Sequence, residues 1–170
     1  YSKIESVNLP DEIEHPSIRH CLNHLQVNEG LEIHHDGDLP ARSGIGSSST
    51  FTVGLLHALY ALIYQMPTKY QLAMDAIKIE QHRIGEAVGS QDQVAAAFGG
   101  INKIDFGGPR EVTVSPLIIE PDRLNLLQDH LIIFFTGWSR TASIIAKEQI
   151  DISHKKTSEL NAMYELCGKA

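Results

Sequence analysis

The feature that most constrains this chain is a bend of small residues at positions 40–50, PARSGIGSSST, running straight into an apolar stretch, FTVGLLHALYALI. Gly44 and Gly46, one residue apart, allow a tight turn and a close backbone approach to a ligand. In the apolar stretch Phe51, Leu55, Leu59 and Leu62 share one helical stripe, widened by Leu56 and Ile63, which predicts a deeply buried helix over residues 48–64. A helix opening from such a bend presents its first amides unpartnered, at the positive end of its dipole. The bend therefore reads in two ways. It is an anion site, most naturally for phosphate, or it is a plain cap in which Ser47, Ser48 and Ser49 close the helix end.

Composition narrows the setting. At 170 residues, 42% hydrophobic and 21% charged, the chain has the makeup of a soluble globular protein with one domain or a little more. A net charge of −7 argues against a broad nucleic-acid surface, yet it leaves a nucleotide ligand open, because helix-end amides hold phosphate without lysines. No apolar run approaches the ~18 residues of a membrane span, and no secretory pattern opens the chain. Cys21 and Cys167 are far apart and in no metal-type spacing, so a reduced, cytoplasmic setting is expected. The first residue is Tyr1 and the last segment reads as an unfinished helix, which predicts a fragment of a larger protein.

The remaining segments alternate helices and strands. Residues 1–15 are polar and broken by Pro10. From Pro16, the apolar positions Ile18, Cys21, Leu22 and Leu25 predict a short amphipathic helix. His20 and His24 lie four apart there and could hold a metal beside Cys21. No acid completes a zinc pattern, so solvated helix-face histidines are the preferred reading, and the same is expected of His34 and His35 on the strand Leu31–His35. Thr68 to Gln71 fits a capping box opening a helix to about Glu86, with Leu72, Ala73, Ala76, Ile77 and Ile84 on its core face. Glu80 projects from or beside that face, where an acid is costly to bury unless a positive group meets it; a salt bridge is the ordinary explanation. Ser90 to Gln93 fits a second capping box, which places Asp92 in the first turn of DQVAAAF, where complementing the helix dipole would suffice to explain it. Gly99 and Gly100 end that helix. Residues 101–106 and 112–114 predict a hairpin turning at 107–109, and residues 131–136, LIIFFT, a buried strand. A loop over 137–141 and a helix from about Ala142 close the chain.

Familiar chemistries are largely excluded. There is no GxxxxGK[ST] loop and no GxSxG elbow, and Ser49 occupies the place of the third glycine of a dinucleotide fingerprint. What remains is a glycine-serine bend, an acid at Glu80 and an aspartate at Asp92. Phosphoryl transfer needs a cradle for phosphates, ligands for Mg²⁺, and a group that orients or deprotonates the attacking hydroxyl. Serine hydroxyls and carboxylates are suitable hard ligands for that ion.

PARSGIGSSSTFTVGLLHAL resembles the second motif of the GHMP kinases, the superfamily of galactokinase, homoserine kinase, mevalonate kinase and phosphomevalonate kinase. That motif runs Pro, three residues, then Gly-Leu-Gly-Ser-Ser-Ala; this chain has Ile45 for the leucine and Ser49 for the alanine. Glu80 precedes Asp92 by twelve residues, a separation similar to that between the metal-ligand acid and the catalytic aspartate of galactokinases. The KIES opening, Glu14-His15-Pro16, GSQDQ, AAFGG and TGWSR most resemble the subgroup that acts on D-glycero-D-manno-heptose phosphates, and the likeness covers essentially the whole chain. The resemblance implies an α/β (α+β) fold, the two-layer, ribosomal protein S5 domain 2-like N-terminal domain of a GHMP kinase, incomplete. Residues 1–170 would be that ATP-binding domain, without the family's first motif and without most of the C-terminal domain.

The roles implied are as follows. Gly44, Ile45, Gly46, Ser47, Ser48 and Ser49 would bind ATP, with the serine amides cradling its phosphates. Ser48 and Glu80 would hold Mg²⁺, Asp92 would act as base or orient the sugar hydroxyl, and Arg140 would hold a phosphate unless it is a plain surface arginine. The partners implied are ATP and a sugar phosphate, with no nucleic acid and no membrane, and with a homodimer as a further possibility. The isolated chain is expected to show little kinase activity although its parent would be active. A non-catalytic nucleotide-binding domain and a GHMP kinase for another small alcohol are the competing expectations.

Overall fold

The computed structural model describes residues 3–37, 44–107, 111–134 and 150–169. Helix α1, Pro16–Leu25, opens where Pro16 takes the first helical position and its missing N–H is no loss. The His15 ring accepts from Ile18 N at 3.5 Å, and the helix ends at Gln26 in the left-handed region. Helix α2, Ser47–Leu62, leaves the glycine-serine bend. Helix α3, Lys69–Ile77, is capped as its sequence predicts: Gln71 N donates to Thr68 Oγ1 at 3.1 Å. It continues as a π-helical segment over Lys78–Ile84, closed by Gly85 at φ 77°. Helix α4, Gln91–Phe98, stops at Gly99, whose φ of 63° favours glycine.

Apolar faces assemble these helices into a layer. Leu56 and Leu59 of α2 meet Cys21 and Leu22 of α1, with Leu72 and Ala76 of α3 and Ile79 of the π segment. A second cluster joins Ala73 and Ile77 of α3 to Val94 of α4 and Val112 of a hairpin. Full burial of one such aliphatic side chain stabilises by roughly 1.5–3 kcal/mol. The hairpin is β1, Asn102–Phe106, against β2, Val112–Pro116, antiparallel with Ile104 opposite Val114 and Phe106 opposite Val112. Ile104, Val112 and Val114 turn their shared face toward α3 and α4. The fold is thus mixed α/β, helices packed over a small antiparallel sheet, in agreement with the expected class.

Several expectations are corrected. Leu31–His35 is exposed and unladdered, and Leu131, Ile132, Ile133 and Phe134 are 66–87% exposed rather than a buried strand. A strand exists only with a ladder partner, and among the described residues β1 and β2 form the only sheet. The helix from Thr68 is not regular to Glu86: it widens at Lys78, and Ile79, absent from the expected core face, is buried. His24 is not solvated, since its Nε2 lies 3.2 Å from Asp75 Oδ1 while Tyr60 donates to the other carboxylate oxygen at 2.7 Å. Helices α5, Pro121–Asp129, and α6, Thr157–Cys167, contribute no buried residue. The tip of the hairpin, residues 135–136, the 137–141 loop and the start of the helix expected near Ala142 lie outside the described residues.

Candidate active site

The bend positions the site. Gly44 and Gly46 adopt φ of 79° and 73°, a region that residues with a Cβ rarely enter, so the two glycines make the turn possible. Gly46 is itself the N-cap of α2 and its carbonyl accepts from Thr50 N at 2.9 Å. Among the described residues no side chain caps this helix, and Ser47, Ser48 and Ser49 lie within its first turn rather than at its N-cap. The amides of Ser47, Ser48 and Ser49 stand at the positive end of a sixteen-residue helix. Ser48 is exposed in that first turn, whereas Ser49 is buried and turns inward.

Both acids come to this bend from other elements. Asp92, in the first turn of α4, lies so close to Gly46 that a Cβ added there would sit 3.1 Å from its Cγ and Oδ2. Asp92 is exposed, and the N-cap residue of α4, Ser90, makes no side-chain cap. Glu80 arrives from the π segment and is 1% exposed. Ser49 Oγ donates to its Oε2 at 2.8 Å, and Gln93 Nε2 donates to the same oxygen. Among the described residues its Oε1 has no hydrogen-bond partner. The salt bridge that would be the ordinary explanation of this acid is not found: among the described residues no cation pairs with Glu80. Its charge is felt by its neighbours, because burial and then Glu80 push the Cys21 thiol up to about 12 and raise Glu86 in the same way. A buried carboxylate with one bare oxygen and no positive side chain is a site suited to a bound cation.

The second capping box does not form. Gln93, expected to reach back to the Ser90 backbone, is fully buried and spends its amide on Glu80, while Ser90 Oγ accepts from Gln81 Nε2 at 3.1 Å. The capping-box spacing thus does not reveal that Gln93 meets Glu80. A signal existed: Gln93 lies three and four residues before Ala96 and Ala97, on the apolar face of QVAAAF, where an uncharged polar side chain needs a buried partner. The histidine alternative finds no support, since among the described residues no three His, Cys, Asp or Glu side chains converge as metal ligands. A groove of about 250 Å³ between α2, α3 and α4 is lined by Thr50, Gly54, His57 and Ala97 and by neither acid. Arg140 lies outside the described residues.

The glycine bend that opens α2, with Asp92 and Glu80 reaching it from other elements, thus lies on helices packed over an antiparallel sheet. The N-terminal domain family of the GHMP kinases matches residues 15–100, and the chain belongs to that family. Among its relatives, D-glycero-alpha-D-manno-heptose 7-phosphate kinase of Campylobacter jejuni is 34% identical over 119 residues, covering 70% of this chain and 35% of that protein. The bifunctional fucokinase/GDP-fucose pyrophosphorylase of Arabidopsis thaliana is 30% identical over 115 residues, 66% of this chain and 11% of the relative. Galactokinase of Pyrococcus furiosus is 28% identical over 138 residues, 76% and 38% respectively. The chain thus spans little more than a third of the two single-function sugar kinases. Among the described residues no helix is long and apolar enough to cross a membrane.

Proposed function

We propose that this chain is the nucleotide-binding part of a cytoplasmic sugar kinase that transfers a phosphoryl group from ATP to a hydroxyl of a heptose phosphate. The observation that carries the proposal is the meeting of Asp92 with Gly46, and of Glu80 with Ser49, at one bend that opens a helix N-terminus. In this reading the amides of Ser47, Ser48 and Ser49 hold the phosphates of ATP, and Gly44, Ile45 and Gly46 let the backbone come close to them. Mg²⁺ fits the residues present, because Glu80 Oε1 is a bare buried oxygen and Ser48 offers an exposed hydroxyl nearby in sequence to Ser49. Ser48 and Glu80 would hold the ion, which supplies charge neutralisation on the phosphates. Asp92, exposed beside the bend, accepts the proton of the sugar hydroxyl or orients that hydroxyl toward the phosphate. Arg140 would bind a phosphate of the sugar or of the nucleotide. The name of the Campylobacter relative supports a heptose phosphate as the acceptor.

Asp92→Ala in the whole kinase tests the assignment by coupled ADP release with ATP, Mg²⁺ and heptose 7-phosphate. The rate is expected to fall about 10²-fold or more with nucleotide binding retained, the scale of lost acid–base assistance. A variant with unchanged turnover would mean that Asp92 serves only the end of α4 and that the domain binds nucleotide without doing chemistry.

A further inference from the structure

Two side chains from two different helices end on one oxygen of Glu80. Ser49 of α2 and Gln93 of α4 both donate to Oε2, and both are buried, at 6% and 0% exposure. The terminal torsion of a glutamate is soft, so a lone glutamate on a π segment would present either oxygen in many orientations. Two donors on the same oxygen, from two helices, restrict that freedom. We propose, resting on the reading above, that Ser49 and Gln93 are positioning residues that pin Glu80 by Oε2 and leave Oε1 as the single oxygen offered to the divalent cation.

Three observations separate this from ordinary core satisfaction. Among the described residues Glu80 Oε1 and Gln93 Oε1 are both buried without partners, so the cluster is not closed upon itself as a purely structural network would be. Gln93 follows Asp92 in the first turn of α4, which ties the residue that orients the cation ligand to the one that faces the bend. Ser49 stands where the resembled motif carries alanine, so its hydroxyl is an anchor that this chain adds. Hydrogen bonds to a ligating carboxylate fix its orientation, and removing such a partner typically weakens metal binding 10–100-fold.

The test is a titration of this chain with Mn²⁺ as the probe, in the presence of ATP, reading free Mn²⁺ by electron paramagnetic resonance. Gln93→Asn, whose shorter amide falls short of Glu80, and Ser49→Ala, a substitution that a helix tolerates, are each expected to weaken Mn²⁺ binding by about 10-fold or more. Ser49→Thr, which keeps the hydroxyl, is expected to retain the affinity. Circular dichroism in EDTA reports whether each variant is folded, and Ser49→Ala keeps the question open to decision should Gln93→Asn unfold. Unchanged Mn²⁺ affinity in folded Ser49→Ala and Gln93→Asn overturns the positioning role, as does a Ser49→Thr variant as weak as Ser49→Ala. Glu80→Gln separates the two levels: if it leaves Mn²⁺ binding intact, or if the unsubstituted chain binds none, the cation assignment falls and this inference falls with it.

Discussion

At the scale of single residues, Gly46 carries the tightest constraint in the site. Its φ of 73° is strained for any residue with a Cβ, and an added Cβ would press on Asp92 at 3.1 Å. Gly46→Ala is therefore expected to lower stability by roughly 1–2 kcal/mol in urea denaturation, from the left-handed backbone alone, and to displace Asp92 besides. Gly44→Ala is the informative control. It shares the left-handed backbone at φ 79° but has open space around it, so it should carry the backbone penalty without moving Asp92. Equal effects of the two substitutions on nucleotide affinity would show that the contact between Asp92 and Gly46 is incidental. Burial of Cys21 beside Glu80, with its thiol held protonated to about 12, makes this cysteine packing material rather than a reactive group.

Among the elements, α1 is the one whose stability should respond to pH. His15, at its N-cap, and His20, within it, both have pKa values lowered from 6.5, by burial in each case, with Glu5 opposing the shift at His15 and Arg19 and Arg83 adding to it at His20. The unfolded chain then binds more protons than the folded one below about 6.5, so these groups support the fold above that pH, and the support is lost as pH falls through their folded values. Protonation of the His15 ring nitrogen that accepts from Ile18 N would also remove the cap of α1. The melting midpoint is expected to be lower at pH 5.5 than at pH 7.5, and the difference should shrink in a His15→Gln, His20→Gln double variant; an undiminished difference would assign it to other groups. The same element scale shows where local sequence reading stops. Thr68 caps α3 as its spacing predicts, because a cap is decided within four residues. Ser90 and Gln93 carry the same spacing but form no box, because a buried carboxylate from another helix takes the Gln93 amide.

Across the whole molecule, stability is expected to be unevenly distributed. The buried residues lie on α1 to α4, the π segment, Val27 and β2, whereas α5 and α6 bury none and residues 131–134 are exposed. Amide hydrogen exchange should protect α2, α3 and α4 most strongly and leave α5 and α6 exchanging near the rate of an open chain, since protection follows buried contacts. Slow exchange in α6 comparable with that in α2 would contradict this picture.

What the sequence determined by itself is local or compositional. The glycine bend, the start of α2, the cap of α3, the glycine stop of α4 and the pairing of β1 with β2 follow from torsional preferences, capping spacings and apolar periods that act within a few residues. The motif at the bend likewise pointed to the GHMP kinases, the family that matches residues 15–100. Tertiary structure alone decided which residues meet. Ser49 and Gln93 reach Glu80 across 31 and 13 positions of chain, and His24 is drawn to Asp75 rather than to water. The apolar runs at 31–35 and 131–134 form no ladder among the described residues, although their composition suits strands. The physical reason is common to all three: propensity biases the torsions of one residue at a time, whereas a hydrogen bond, an ion pair or a ladder requires a second group that only packing can bring.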